Sequence, residues 1–286
     1  MTRYDIAVIG SGPAGLEAAI TAKVRNKNII VFGRKDLSRK MQVVEHPIMN
    51  YLGLPGATGK EMAEVFAKQI ADLGIAITEQ KVTAVYAMGD YYMVQTDDNN
   101  MVEASAVILA PGVAAGQPYP NEEKFLGRGV SYCATCDAPL YKGKNVIVIG
   151  GSAAEEAEAD FLAEVCAHVV YIPLYRTETH FEHDVEVIME RPVEIIGEMQ
   201  ATGIRTDKGE HMADGVFILR EAQFPGQLVP GLATVGNAVA VDLQMKTNLP
   251  GLFAAGDVTG LPYQYIKAAG QGNVAALSAV DWLTKK

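Results

Sequence analysis

The chain is poor in cysteine, tryptophan and histidine, with 3, 1 and 5 of them among 286 residues. Three cysteines cannot build the disulfide framework of a small secreted domain, so thiols here point to chemistry in a reducing compartment. No apolar run approaches the ~20 residues that span a bilayer. The opening Tyr4-Asp5-Ile6-Ala7-Val8-Ile9 reads as a buried strand rather than a targeting segment. Positive charge is also in deficit: 24 Lys and Arg face 34 Asp and Glu, for a formal net charge of -10. That balance argues against general nucleic-acid binding. The expectation is a soluble, cytoplasmic protein with no membrane and no nucleic-acid partner. What is abundant is apolar residue, 49% of the chain, enough for a full core and, at this length, for two domains.

The pattern strand, glycine-rich turn, helix, strand occurs twice, the signature of doubly wound α/β architecture. The first unit starts at Tyr4, turns through Gly10-Ser11-Gly12-Pro13-Ala14-Gly15, runs as a helix to Lys23 and continues as a strand over Asn28 to Phe32. Gly10, Gly12 and Gly15 have separate tasks: a tight turn, close approach of backbone to a pyrophosphate, and close packing of helix on strand. No acid ends the second strand, where Phe32-Gly33-Arg34 stands, so the ribose contact is missing, which speaks against plain NAD. The second unit starts at Asn145, where Val146 to Ile149 leads into Gly150-Gly151-Ser152-Ala153-Ala154-Glu155 and a helical pattern to Ala167. Turn clusters at Pro111-Gly112 to Pro120 and around Gly236-Asn237 read as crossings between the domains.

Between the two units lies Ser131-Tyr132-Cys133-Ala134-Thr135-Cys136-Asp137. Cysteines at i and i+3 near a helix start share one face and can close a disulfide, while the helix dipole favours a thiolate. A zinc site would need a second ligand pair. Cys166 stands alone in an apolar helical pattern, and His180 and His183 have no third ligand at hand. No metal is expected, and Cys166 reads as a small core residue.

Two further segments resemble motifs of the two-dinucleotide-domain flavoproteins. Thr247 to Asp257, ending Phe253-Ala254-Ala255-Gly256-Asp257, resembles their late FAD motif, in which the aspartate holds the flavin's sugar-phosphate chain; Val107-Ile108-Leu109-Ala110-Pro111-Gly112 resembles their shorter crossing motif. Cys133 to Asp137, Asn50-Tyr51-Leu52-Gly53, and Gln264 with Ala269-Gly270-Gln271-Gly272 resemble the active site, early flavin-side loop and final flavin-facing helix of the low-molecular-weight thioredoxin reductases. The likeness covers nearly the whole chain. It implies an FAD domain over 1–115 and 241–286, with an inserted second nucleotide-fold domain over 116–240 carrying the CxxC. It also implies FAD held by Gly10, Gly12, Pro13, Ala14, Gly15, Asn50, Gly112, Gly256, Asp257 and Gln264. Cys136 would lie nearer the flavin, Cys133 would attack thioredoxin, Asp137 would protonate a thiolate, and the protein would be a homodimer.

The departure lies in the second glycine turn, where Ser152 and Glu155 stand at the second and third glycine positions. Ser152 would crowd a pyrophosphate and Glu155 would repel it. After the next strand, Tyr171-Ile172-Pro173-Leu174-Tyr175 stands where the family has a basic run for the 2'-phosphate of NADPH, with Arg176 the nearby cation. Losing two charge-assisted bonds removes roughly 3 to 6 kcal/mol, or about two to four decades of affinity. Tyr263 also replaces a flavin-side arginine. These losses resemble the ferredoxin-dependent flavin thioredoxin reductases, which implies ferredoxin, or flavodoxin in its place, as donor and thioredoxin as acceptor. An acidic donor would dock on basic residues; Arg34, Lys35, Arg39 and Lys40, or Lys142 and Lys144, are the candidates. Two other readings stay open, an NADPH-dependent reductase with an unusual nucleotide site and a flavin-dependent dithiol oxidase.

Overall fold

The computed structural model describes residues 3–38, 41, 44, 47–113, 118–132, 134–176, 178–219 and 225–285, with backbone alone for Glu123 and Cys136. The chain divides into two compact units, Met1–Val113 with Phe224–Lys286, and Ala114–Gln223.

The first unit begins with β1 (Tyr4–Ile9), α1 (Pro13–Val24) and β2 (Ile29–Phe32), followed by α2 (Gly59–Asp72), β3 (Ile77–Thr78), β4 (Val82–Ala87), β5 (Tyr92–Thr96) and β6 (Met101–Leu109). Strand order is β3-β2-β1-β6-β5-β4. Ile6, Ala7 and Val8 are wholly buried, as expected of a parallel strand covered on both faces. The start of α2 is fixed locally: Thr58 and Glu61 form a reciprocal capping box.

The second unit carries the one-turn α3 (Glu122–Phe125), β7 (Val130–Ser131), the one-turn α4 (Ala134–Asp137), β8 (Asn145–Gly150), α5 (Glu156–Val165), β9 (His168–Pro173) and β10 (Glu186–Val187). It then adds β11 (Pro192–Gly197), β12 (Ala201–Thr206), β13 (Glu210–Met212) and β14 (Gly215–Leu219). Its main sheet is parallel, in order β10-β9-β8-β14-β7, and β11-β12-β13 form a separate antiparallel sheet. Cys166, just beyond α5, is partly buried against this unit's core, and that burial pushes its thiol up.

The chain re-enters the first unit with α6 (Pro225–Leu228), the hairpin β15 (Thr234–Val235) and β16 (Ala238–Val239), β17 (Leu252–Ala254) and α7 (Tyr265–Thr284). Here the expected boundary at 240/241 is corrected. Gly236-Asn237 is the two-residue tip of the β15–β16 hairpin, with Gly236 at φ +59°, and not a crossing. Leu228, Val229, Leu232 and Val239 belong to the same apolar cluster as Val82, Val85, Tyr92 and Val107, so the return comes at 224. Trp282 on α7 packs against the core and lies over Gly251.

β6 organises the first unit. One edge pairs in parallel with β1; the other pairs with β5 antiparallel at its start and with β17 in parallel at its end. α1 and α7 pack closely because both present small residues, Ala14, Ala18 and Ala22 on one, Ala268, Gly272, Ala275 and Ala279 on the other. A Cβ at Gly272 would fall on the Ala14 carbonyl oxygen.

Candidate functional site

Three motifs far apart in sequence end side by side. The Gly10 amide donates to the Phe32 carbonyl at 2.8 Å, the Ala110 amide to Ile9 at 2.7 Å, and the Ala255 amide to Leu109 at 2.9 Å. The turn after β1, the crossing after β6 and the turn after β17 therefore share the carboxyl end of one sheet, where open α/β sheets bind ligands. The first glycines divide their tasks as expected. Gly10 has φ +119°, and a Cβ there would fall on the Ala110 carbonyl oxygen; one at Gly15 would fall on the Gly10 carbonyl oxygen. Gly12, at the N-cap of α1, is different: a Cβ there meets nothing closer than Ser38 Cβ at 4.0 Å. Its outer face is open, and the amides of the first helical turn point past it, a fit for an anionic pyrophosphate. Pro13 occupies the first helical position, and Ala14 is buried between Gly256 and Gly272.

Gly256 (φ +85°) and Asp257 open a 3-10 turn over Gly256–Thr259. Two residues of α7 hold it. Gln271 Oε1 accepts from the Gly256 amide at 2.9 Å and from Thr259 Oγ1 at 3.0 Å, while Lys267 Nζ donates to the carbonyls of Gly256 at 3.0 Å and Gly260 at 2.6 Å. Burial pulls the Lys267 ammonium below the usual lysine range, opposed by the nearby Asp257 carboxylate. Lys267 escapes a sequence reading, since a lysine near a helix start looks solvated. Asn50 and Gln264, both expected on the flavin side, meet directly: Asn50 Nδ2 donates to Gln264 Oε1 at 2.8 Å. Gly112 adopts φ +81°, a turn that favours glycine.

Cys133 lies outside the described residues. Cys136 falls in α4, and Asp137 is its last residue. The dipole expected to favour a thiolate is corrected, because α4 is a single turn followed by a 3-10 turn over Ala138–Tyr141. Its first amide, Ala134, donates to Glu158 Oε2 at 3.3 Å. Of the basic candidates, Arg34 is engaged by Asp36 at 2.6 Å and Lys35 by Glu79 at 3.6 Å; Arg39 and Lys40 lie outside the described residues, and Lys142 and Lys144 are exposed. His183 sits 3.4 Å from Asp160, and the His180 amide donates to Glu156 Oε2 at 3.0 Å. Among the described residues no group of three or more His, Cys, Asp or Glu is placed to hold a metal.

The second glycine turn is filled from within. Ser152 and Glu155 form a capping box: Glu155 Oε2 accepts from the Ser152 amide at 2.8 Å and from its hydroxyl at 2.6 Å, while Ser152 Oγ accepts from the Ala154 amide at 3.3 Å. The carboxylate thus already lies where a phosphate would be received, and Glu155 is 5% exposed. The Tyr171 hydroxyl presses on Gly150, where a Cβ would collide with it, and lies 3.1 Å from the Tyr175 hydroxyl. Tyr175 in turn donates to Glu156. Burial raises the Tyr171 phenol to about 12, and burial with the Glu156 bond drives Tyr175 higher still, so both stay neutral donors.

A family model described as pyridine nucleotide-disulphide oxidoreductase matches residues 4–272. The chain belongs to the pyridine nucleotide-disulphide oxidoreductase family. Within that family it is 34% identical to a thioredoxin reductase of Aquifex aeolicus, over 99% of this chain and 94% of the other. A crystal structure of a ferredoxin-flavin thioredoxin reductase from Clostridium acetobutylicum is 47% identical, with a TM-score of 0.93 over 100% of this chain and 99% of that one. A thioredoxin reductase from Gloeobacter violaceus is 27% identical, with a TM-score of 0.80 over 99% and 95%. The fold is that of this oxidoreductase family, α/β with parallel sheets.

The family's name implies a pyridine nucleotide, and the residues of the second unit do not fit one. Its turn amides are taken from within, that of Ser152 by Glu155 and that of Ala154 by Ser152 Oγ, and its first glycine is covered by Tyr171. A Ser152→Ala variant is expected to lose about 1 kcal/mol of stability. It would appear as a lower urea midpoint at unchanged slope, with NADPH still giving no binding signal in a fluorescence titration.

Proposed function

We propose that this protein is a flavin-dependent disulfide reductase that takes electrons from reduced ferredoxin and passes them through Cys133 and Cys136 to thioredoxin. One observation carries the reading: an intact Cys133-Ala134-Thr135-Cys136-Asp137 accompanies a coenzyme turn already capped by its own Glu155. The likeness to a protein described as a ferredoxin-flavin thioredoxin reductase supports both donor and acceptor. FAD is the cofactor; when bound, it accepts electrons singly from an iron-sulfur donor and yields them as a pair. Gly10, Gly12, Pro13, Ala14 and Gly15 receive its pyrophosphate, Asp257 its sugar-phosphate chain, and Asn50 and Gln264 stand at the flavin side. Gly112 and Gly256 turn the chain beside it.

The remaining chemistry belongs to thiols. Cys133, as thiolate, attacks one sulfur of the thioredoxin disulfide. Cys136 then displaces the mixed disulfide, releasing reduced thioredoxin and closing Cys133–Cys136, with Asp137 giving a proton to a thiolate. The driving force is ample: a donor near -400 mV facing thioredoxin near -270 mV provides about 130 mV, or roughly 6 kcal/mol for two electrons. Flavodoxin as an alternative donor, a homodimeric assembly and a cytoplasmic location belong to the same proposal.

The test is one anaerobic titration. Protein is mixed in turn with NADPH, NADH and photoreduced ferredoxin while flavin absorbance and thioredoxin thiols are followed. Only ferredoxin is expected to drive stoichiometric thiol formation. A rapid bleach by NADPH would make the chain a coenzyme-fed reductase, and peroxide formed from substrate thiols and oxygen would make it an oxidase.

A further inference from the structure

The residue that precedes the CxxC in the chain, Tyr132, is bound to a carboxylate that the chemistry above does not use. Glu122, on α3, is 0% exposed, a rare state for a glutamate. Its Oε1 accepts from the Tyr132 hydroxyl at 2.9 Å and its Oε2 from the Tyr119 amide at 2.8 Å. Tyr132 is the residue immediately before Cys133, and its ring is fixed among Phe125, Ile147 and Ile195. On the other flank the Ala134 amide is held by Glu158. Cys133 therefore lies in the chain between two residues each tied to a carboxylate. A buried carboxylate is costly, and well-packed apolar groups in its place are often no less stable, so core stability alone does not account for it.

We propose that Glu122 is a positioning residue for the dithiol, anchoring Tyr132 and thereby the backbone entering Cys133, and that it makes the Cys133–Cys136 pair a stronger reductant. The inference rests on the reading of that pair as the redox-active one. A fixed approach to Cys133 favours the closed disulfide over two free thiols, and a dithiol whose closed form is favoured is the better electron donor.

The experiment uses full-length, FAD-loaded protein equilibrated anaerobically in dithiothreitol buffers, quenched with an alkylating agent and resolved by mass. The reaction read is disulfide plus dithiothreitol to two thiols plus oxidised dithiothreitol, with two electrons and two protons transferred; Cys166 adds one constant label. Glu122→Gln and Tyr132→Phe are each expected to shift this equilibrium toward the thiols by about threefold to tenfold, or about 14 to 30 mV at 29.6 mV per decade. Because both act on one shared contact, the double variant should shift it no further than the larger single one. Tyr132→Phe removes one oxygen from a ring that stays packed, so it remains informative should Glu122→Gln fold poorly. A lowered melting temperature with an equilibrium within twofold of the parent would reduce Glu122 to a support of the fold and overturn the inference. A parent protein with no reversible Cys133–Cys136 couple would instead overturn the reading of the pair, and the inference with it.

Discussion

A Cys133→Ser variant is expected to lose ferredoxin-driven thioredoxin reduction by at least about a thousandfold, while its flavin absorbance still falls on addition of reduced ferredoxin. The size follows from the chemistry. A serine hydroxyl is a far weaker nucleophile than a thiolate at neutral pH, and removing a covalent nucleophile removes the pathway rather than slowing it. Cys136→Ser should be equally inactive in turnover but should behave differently with thioredoxin, because Cys133 can still attack and no neighbour can resolve the product. A trapped mixed disulfide on a non-reducing gel is the expected sign. Sustained turnover by Cys133→Ser would show that the chemistry lies elsewhere in the chain.

The second large effect separates glycines that a sequence motif treats alike. Gly15→Ala is expected to cost about 3 kcal/mol or more, because its methyl group would fall on the Gly10 carbonyl oxygen, a backbone atom that cannot swing away. Gly12→Ala should cost less than about 1 kcal/mol, since nothing but Ser38 Cβ at 4.0 Å lies near and its φ of -83° suits any residue. Its effect should fall on FAD instead, with affinity lowered at least about a hundredfold, because the added methyl group stands where the pyrophosphate approaches. Denaturation midpoints of the FAD-free proteins, together with FAD titration by flavin fluorescence quenching, distinguish the two. Equal loss of stability in both variants would remove the assignment of Gly12 as the ligand-facing glycine.

What was legible followed from short-range patterns. The strand of six residues, the Gly10-Gly12-Gly15 spacing and the helix after it are local, and the structure places each where the pattern puts it. The return of the chain at 224 was not legible. Gly236-Asn237 is a turn whether it tips a hairpin or joins two domains, and only the packing of Leu228, Val229 and Val239 on β4 to β6 decides between them. At the second turn the residues announce a repulsion between Glu155 and phosphate, and Ser152-Ala153-Ala154-Glu155 also carries the S-x-x-E spacing of a capping box, which the structure forms. The cover over Gly150 was beyond reach, since it comes from Tyr171 on the neighbouring strand. Glu122, followed by Glu123 and Lys124, reads as a solvated run; only the fold turns it inward.

The capping box at Ser152 and Glu155 also bears on selective inhibition. Compounds shaped as nicotinamide coenzyme mimics, which would silence a reductase fed by a soluble coenzyme, need bare amides for their anionic linker and a clear floor beneath it. In this protein a carboxylate occupies the first and a phenol obstructs the second, so such compounds should spare it even at doses that stop its coenzyme-fed relatives.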